Sequence, residues 1–313
     1  RIMKDAFLMD PLKGWDIKTL GDVCGLSQTG MHHQMVKLRD SGLVSSENYG
    51  RWHIYVLRGG SITAAINLLS IQAKGIMELR IGELGDYIEH SEQRMQIVTD
   101  RLEVDFVVKV SEPSATKSNM DRLDSLIDDL GLNGDRAKEN DDLAKNIFIE
   151  LSSSFNPITI LSIADKFSES RSRVKRTIDR FRSAGIIERV PMLNRIAQDI
   201  FIGIMRQFDA RGEEWLITRG GLGRIDKEVA ETIISNAKSK KLNIEKVEEI
   251  LKSVPIESQK ILLNTLGGRM PYGFRIVGRD GKEVGRVVMT KVDRVLRRLK
   301  TVSERLDIAL LDD

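Results

Sequence analysis

The chain has 313 residues, of which 41% are hydrophobic and 30% charged, with 49 Lys and Arg against 46 Asp and Glu and one cysteine. This composition predicts two or three folded domains and excludes a globally disordered chain and an intramolecular disulfide framework. Because no run of about 20 apolar residues and no signal-peptide pattern occurs, we expect a cytoplasmic protein without a membrane-spanning helix.

The N-terminal segment 1–60 predicts three short helices followed by a β-hairpin. Apolar spacing places the helices at 2–9, 17–24 and 28–41, the first strand from 43, the turn at 48–51 and the second strand at 52–57. Asp16 and Ser27 are expected to cap the second and third helices, and Gly25 and Gly42 to end them. This order of elements is that of a winged helix-turn-helix module.

The pattern of residues 61–103 predicts one long helix or two. Their apolar residues recur close to a heptad, with Ser91 at one seam position and a slip in phase near Gly82. We interpret the segment as a dimerisation helix, and a helix that packs on its own domain is the alternative. Residues 104–110 alternate like a strand, and the acidic segment 111–142, with one short helix at 119–130, marks a domain boundary.

A shift of 143 positions matches a second segment to this helix-turn-helix without a gap. Core positions stay apolar, and the capping serine and the terminating glycine are retained. The matched pairs are Leu20 with Ile163, Ser27 with Ser170, Met31 with Val174, Met35 with Ile178, Leu38 with Phe181 and Gly42 with Gly185. A second module is therefore expected, with helices at 142–153, 159–167 and 171–184.

The third helix of this second module has a strongly basic face. Its cations repel one another by a few tenths of a kcal/mol per neighbouring pair, and a polyanion would remove that repulsion and release counterions. We therefore expect contact with nucleic-acid phosphates. A solvated face paired with acids such as Asp179 and those of 111–142 is the alternative. The bases are Arg171, Arg173, Lys175, Arg176, Arg180 and Arg182.

The chain after Ile187 gives weaker patterns. They predict strands at 199–206 and 213–218, helices at 225–239 and 243–253, a hairpin at 273–289 with its turn at Asp280-Gly281, and a basic closing helix at 290–310. Residues 244–289 are interpreted either as a third, degenerate winged helix or as part of an effector or dimerisation domain of mixed α/β type.

The expected fold class is mainly α with small β-hairpin wings. Tandem winged helix-turn-helix domains would be joined by a long helix and followed by a C-terminal α/β portion. The expected domains are a first winged helix at 1–60, a long helical linker or dimerisation helix at 61–110, an acidic linker at 111–141, a second winged helix at 142–220 and a C-terminal domain at 221–313.

The first module resembles the ArsR and MarR groups of winged-helix transcription regulators. The resemblance rests on Leu-Ser-Gln at 26–28, the pair His32-His33, Lys-Leu-Arg at 37–39 before Gly-Leu-Val at 42–44, and Gly-Arg-Trp at 50–52 in the wing. It covers less than a fifth of the chain, and chains of this build look similar to archaeal proteins.

The resemblance implies that the start of the third helix reads the major groove. The residues assigned to this surface are Ser27, Gln28, Thr29, His32, His33 and Gln34, with Lys37 near phosphate and Arg51 of the wing at the backbone or minor groove. The second module adds Ser170, Arg171, Arg173, Lys175, Arg176 and Arg180. Gly30 departs from the pattern, because a glycine inside a helix costs about 1 kcal/mol relative to alanine.

We expect no catalytic, cofactor or metal site. ArsR-type metal sensors need two or more thiolates at the helix that contains Cys24, and Cys24 stands alone. The adjacent His32 and His33 point about 100° apart on a helix and do not converge on one ion. The glycine-rich segment 219–224 lacks the Gly-Lys-Ser/Thr ending of a phosphate loop.

The sequence thus favours a regulator that binds double-stranded DNA sequence-specifically, as a homodimer, with no membrane partner and an unidentified effector. An architectural, replication or RNA-associated protein and a winged-helix protein-interaction scaffold are the alternatives, because fold does not settle function.

Overall fold

The computed structural model describes residues 1–92, 94, 104–111, 121–134 and 141–311. These residues are mainly helical, with two small antiparallel sheets of two strands each, which confirms the predicted balance of helix and strand. They fall into two compact units. The first is drawn from Arg1–Tyr87, Phe106–Asp135 and Gly281–Asp313, and the second from Ile88–Asp105 and Arg136–Asp280.

The described part of the chain contains the following helices and strands. The helices are α1 (Ile17–Cys24), α2 (Gln28–Asp40), α3 (Ile62–Gly85), α4 (Arg122–Asp129), α5 (Leu143–Ser153), α6 (Ile160–Lys166), α7 (Arg171–Ser183), α8 (Leu193–Thr218), α9 (Lys227–Lys238), α10 (Ile244–Leu251), α11 (Ile256–Thr265) and α12 (Gly281–Leu311). The strands are β1 (Val44–Tyr49), β2 (Trp52–Leu57), β3 (Ile187–Pro191) and β4 (Tyr272–Ile276).

The first unit begins with α1, α2 and the β1–β2 hairpin, where the sequence predicts them. The helix expected at 2–9 is reduced to a single wide turn at Met3–Phe7. Phe7, Leu20, Met31 and Met35 are fully buried and form the centre of this module's core. Burial of side chains of this size stabilises the fold by about 1.5–3 kcal/mol each, so this core holds the short helices together.

The long helices α3 and α12 form an antiparallel pair in the same unit. At one end their backbones touch, because a Cβ added to Gly85 would lie 3.2 Å from Cα and O of Gly281. At the other end Asp307 accepts hydrogen bonds from the backbone N–H groups of Ile62 (3.2 Å) and Thr63 (2.8 Å). For residues 62–85, therefore, the structure shows a helix that packs within its own chain.

Helix α4 joins this pair through buried charges. The guanidinium of Arg80 on α3 lies 3.6 Å from the carboxylate of Asp129, and both side chains are more than 90% buried. Leu123 and Leu126 on the same helix are also buried. The short helix that the sequence predicts at 119–130 is thus a packed part of the first unit rather than only a linker.

The second unit contains α5, α6 and α7, close to their predicted positions, and then β3. Strand β3 pairs antiparallel with β4. The register runs from Ile187 opposite Ile276 to Pro191 opposite Tyr272, so residues 192–271 connect the two strands. Helices α8 to α11 fill that interval and have a core of their own. Helices α9 and α10 confirm the predictions at 225–239 and 243–253.

The strands predicted at 199–206 and 213–218 are wrong, because both segments belong to α8, which is interrupted only at Gly212 (φ 75°). In the helix Ile196, Ile200 and Ile204 recur every four residues, and all three are fully buried. Packing of that stripe outweighs the modest strand preference of β-branched residues.

The hairpin predicted at 273–289 is also wrong, and with it the third winged helix at 244–289. Residues 272–276 form β4, and α12 starts at Gly281 instead of 290. Val284, Val288 and Val292 form a buried stripe at helical spacing. The C-terminal portion is accordingly helical in its described residues apart from β4.

The long helix predicted over 61–103 ends at Gly85. Ser91 is buried and donates its backbone N–H to the carbonyl of Arg279 in the second unit. Residues 93 and 95–103 lie outside the described part of the chain. Residues 104–110, predicted as a strand, have no regular secondary structure.

Candidate nucleic-acid interface

The two helix-turn-helix segments share one backbone in detail. Helices α2 and α7 both have 13 residues and begin and end 143 positions apart. The hydroxyl of Ser27 accepts the N–H of Gly30, and the hydroxyl of Ser170 accepts the N–H of Arg173, so the predicted caps are confirmed. These hydroxyls satisfy N–H groups that the start of a helix leaves without partners.

The turns match as well. Gly25 ends α1 with φ 63°, and the matched Ser168 adopts φ 54° although it is not a glycine. The left-handed region is unfavourable for most residues with a side chain, so the two turns keep the same backbone conformation even where serine takes the place of glycine. Gly42 and Gly185 have φ values of 75° and 77°.

Helix α2 presents its predicted contact residues to solvent. Met31 and Met35 face the core together with the partly buried Leu38, and the solvent-exposed positions of the helix are polar. Each residue predicted to contact DNA is exposed: Ser27, Gln28, Thr29, His32, His33, Gln34 and Lys37. The half-buried Gly30 is within the first turn of α2, where its N–H serves the Ser27 cap, so it interrupts no central part of the helix.

The β1–β2 hairpin ends in an exposed wing tip formed by Tyr49, Gly50, Arg51 and Trp52. Tyr49 pairs with Trp52 across the strands, and 76% and 64% of their respective surfaces are exposed. Arg51 is exposed between them. The sequence suggested a role for Arg51 but not for the two rings, because their solvent exposure follows from the strand register.

Helix α7 places three cations in solvent with no carboxylate partner among the described residues. Arg171, Lys175 and Arg176 are exposed, and within the described part of the chain their one side-chain hydrogen bond runs from Arg176 to the carbonyl of Ser172, at 3.3 Å. Their positions correspond to Gln28, His32 and His33 of α2. The two matched helices therefore present the same positions with different charge.

Arg173 and Arg182 of α7 form ion pairs with carboxylates. Arg173 donates to Glu169 and, over 2.7 Å, to Asp141, and these carboxylates raise the pKa of its guanidinium above the ordinary arginine value. Arg182 pairs with Asp179 at 3.3 Å and lies over the ring of Phe274. Arg180 is half-buried. Within the described part of the chain, the exposed cations of α7 that lack a carboxylate partner are thus in its first two turns.

The first unit also contains a cavity of about 850 Å³ between the end of α2, α3, α12 and residues 106–111. Arg58 contributes a guanidinium without an ion pair in the described part of the chain, whereas Arg39 pairs with Asp40. The lining of this cavity thus combines apolar side chains with polar and charged groups. The apolar lining includes Leu69, Ile76, Met77, Phe106, Val292 and Leu296.

The described residues form neither a metal-ligand cluster nor a membrane-spanning helix. Cys24 is fully buried, and burial raises the pKa of its thiol. Within the described ranges no three His, Cys, Asp or Glu side chains converge as metal ligands would. None of the described helices combines the length and apolar character needed to cross a membrane.

Comparisons of the chain with protein-family models, with curated proteins and with solved structures give no match. The residues of this chain are therefore the basis for its functional assignment.

Proposed function

We propose that the chain binds double-stranded DNA through two winged helix-turn-helix modules and acts as a sequence-specific transcriptional regulator. The observation that supports this best is the ungapped match of α1–α2 with α6–α7, in which each second helix has an outward polar face. In such modules this helix enters the major groove. The resemblance of the first module to ArsR and MarR regulators is part of the same proposal.

Phosphate affinity is assigned to α7. Arg171, Lys175 and Arg176 lie within two turns of one another without a carboxylate partner in the described residues, so they repel one another in the free protein. Contact with the DNA backbone would relieve that repulsion and release condensed counterions. Arg173, which two carboxylates already hold, is assigned to structure instead.

Base reading is assigned to α2. Its exposed face is rich in side chains that both donate and accept hydrogen bonds, among them Gln28, His32 and Gln34. A glutamine can form two hydrogen bonds with an adenine edge, which discriminates against other bases by roughly 1–3 kcal/mol. The exposed wing tip with Arg51 and Trp52 is assigned to the neighbouring backbone or minor groove.

The salt dependence of DNA binding tests the assignment to α7. The triple variant Arg171→Ala, Lys175→Ala, Arg176→Ala removes these three exposed charges. Each phosphate contact contributes about 0.9 to the slope of log K against log salt, so we expect the slope to fall by roughly 2–3. Fluorescence anisotropy of a labelled duplex, titrated at several salt concentrations, measures this slope.

A matched control removes the same charge elsewhere. Lys227, Lys241 and Lys252 are exposed and belong to the helices between β3 and β4 or to their connections. Their triple replacement by alanine should leave the slope within one unit of the wild-type value. An equal fall in both triple variants would mean that net charge, rather than α7, determines the affinity, and would contradict the assignment.

Selection from random duplexes separates the proposed regulator from its alternatives. A defined enriched motif supports sequence-specific regulation. Uniform enrichment supports an architectural or replication protein, and preferential competition by RNA supports an RNA-associated one. Failure to bind any nucleic acid at low salt would favour a protein-interaction scaffold.

A further inference from the structure

The internal repeat extends beyond the helix-turn-helix. In the first sheet Val44 pairs with Leu57, and in the second Ile187 pairs with Ile276. The isolated bridge between Trp15 and Tyr55 has its counterpart in the bridge between Ile158 and Phe274. The first members of these pairs are 143 positions apart, and the second members are 219 positions apart.

The change of offset has one structural cause. The four helices α8 to α11 separate β3 from β4, whereas Gly50 and Arg51 alone separate β1 from β2. A helical insertion therefore occupies the wing-tip position of the second module. After the insertion the correspondence resumes without a further gap, because α3 begins at Ile62 and α12 begins 219 positions later at Gly281.

Helices α3 and α12 are thus equivalent elements of the two copies, and they pack against each other. In a two-fold symmetric antiparallel pair, the residue on the axis meets its own equivalent. Lys74 of α3 and Asp293 of α12 form an ion pair with a 3.0 Å N–O distance, and these two residues are themselves 219 positions apart. They occupy the position of a pseudo-two-fold axis.

The contacts at the two ends of the pair agree with this axis. Gly85 meets Gly281 at one end. The axis exchanges equivalent positions, which are 219 apart, so Gly85 is equivalent to residue 304 and Gly281 to Ile62. An exact two-fold would therefore place Ile62 against residue 304. The observed partner of Ile62 is Asp307, which is less than one helical turn from that position. The register of α3 against α12 therefore agrees with a pseudo-two-fold relation between these two helices.

The axial pair also distinguishes one chain from two identical chains. In a symmetric dimer built through α3 alone, Lys74 would face Lys74, and one built through α12 alone would place Asp293 against Asp293. Within a single chain, Lys74 on α3 lies opposite Asp293 on α12 at the axis. Opposite charges at this position favour the pairing of α3 with α12.

We propose that the α3–α12 pair replaces a subunit interface, so that one chain supplies both halves of the DNA-binding unit. The DNA part of this inference rests on the proposed function. Because α2 and α7 present different side chains at matched positions, the target is a duplex with two unlike half-sites, bound by one chain. The homodimer expected from the heptad pattern of 61–103 is then unnecessary, since α12 already covers one face of α3.

The mass of the full chain in solution is the first test. Light scattering after size exclusion should give the mass of one chain, 35.3 kDa, at micromolar concentration. Titration of a selected duplex should reach saturation at one chain per duplex. Twice the mass, or two chains per duplex, would overturn the proposal. One-chain mass without any DNA binding would retain the helix pairing and remove the proposed function alone.

Charge reversal at the axis tests whether the pairing is within one chain. Lys74→Asp places Asp against Asp293, and Asp293→Lys places Lys against Lys74. Both side chains are 40–46% exposed, so each single variant should lower the unfolding midpoint by only about 2 °C. The double variant in one chain should restore it.

Mixing the two single variants provides the control. Chains that exchange α12 with one another would restore both opposite-charge pairs on mixing and refolding, and the midpoint would recover. Chains that pair α3 with their own α12 would keep both lowered midpoints. Recovery on mixing would therefore overturn the proposal.

Discussion

Helices α2 and α7 provide a comparison at fixed backbone geometry. Their caps, their buried stripes and the conformations of the flanking turns coincide over a shift of 143 positions. Their outward faces differ: matched positions pair Gln28 with Arg171, His32 with Lys175 and His33 with Arg176. The core and caps are constrained by packing and hydrogen bonding, whereas the exposed face changes at little cost to folding and so determines what each module can bind.

The β-hairpins of the two modules also differ at the position that joins their strands. The first ends in an exposed tip with Tyr49 and Trp52, and in the second module helices α8 to α11 occupy that place. The insertion lies between Pro191, the last residue of β3, and Tyr272, the first residue of β4, and these two residues pair with each other. The first module thus ends in an exposed hairpin tip, and the second has a helical insertion at the matching place.

Transferring the α7 charges to α2 should have the largest effect. The variant Gln28→Arg, His32→Lys, His33→Arg copies the matched residues. If both helices approach DNA alike, the slope of log K against log salt should steepen by roughly 2–3, because up to three phosphate contacts are added. Anisotropy titrations with a random duplex measure it.

The control for this transfer is the alanine variant at the same three positions, which should leave the slope near the wild-type value and weaken discrimination between duplexes. An unchanged slope in the charged variant would indicate that α2 is not close to the backbone, and would contradict a shared role of the two helices as DNA-reading elements.

Changes at the wing tip should have a smaller effect, confined to the first module. Arg51→Ala should reduce the salt slope by about one unit. Trp52→Ala should weaken binding and leave the free energy of unfolding within about 0.5 kcal/mol of wild type, because the ring is 64% exposed. Urea denaturation and duplex binding measured on the same samples check both statements. A large loss of stability would show that the ring supports the fold rather than the interface.

The smallest effect concerns the caps of α1 and α6. Asp16 accepts the hydroxyl (2.6 Å) and the N–H (2.9 Å) of Thr19, which lowers its pKa below the ordinary aspartate value, whereas the matched Thr159 caps α6 without titrating. A lowered carboxyl pKa stabilises the fold above the ordinary value, and that contribution is lost as the pH falls through the folded-state value.

Asp16→Thr gives the first module the cap of the second. We expect the wild type to lose up to about 1 kcal/mol more unfolding free energy than this variant between about pH 7 and pH 3. Urea denaturation at both pH values measures the difference. Equal losses in the two proteins would show that the cap of α1 does not contribute to acid sensitivity.

Much of the two modules could be predicted from local sequence. Caps at Asp16, Ser27 and Ser170 and terminating glycines at Gly42 and Gly185 act through hydrogen bonds within five residues, so their positions fix the ends of α2 and α7 nearly to the residue. The exposure of the predicted α2 contact residues follows from the same helical period. The ungapped repeat was visible because its core positions kept apolar side chains.

Long-range contacts decided the rest. The pairing of β3 with β4 bridges the interval 192–271 without a local signal, and α12 begins in a glycine- and valine-rich stretch that forms a helix because it packs on α3. The neutralisation of Arg173 depends on Asp141, which lies in the segment before α5. The sequence by itself determined most of the helices, their caps and the repeat, since these depend on neighbouring residues. Only the tertiary structure decided which strands pair, which helix covers α3 and which cations form ion pairs with distant carboxylates, because these depend on packing between distant parts of the chain.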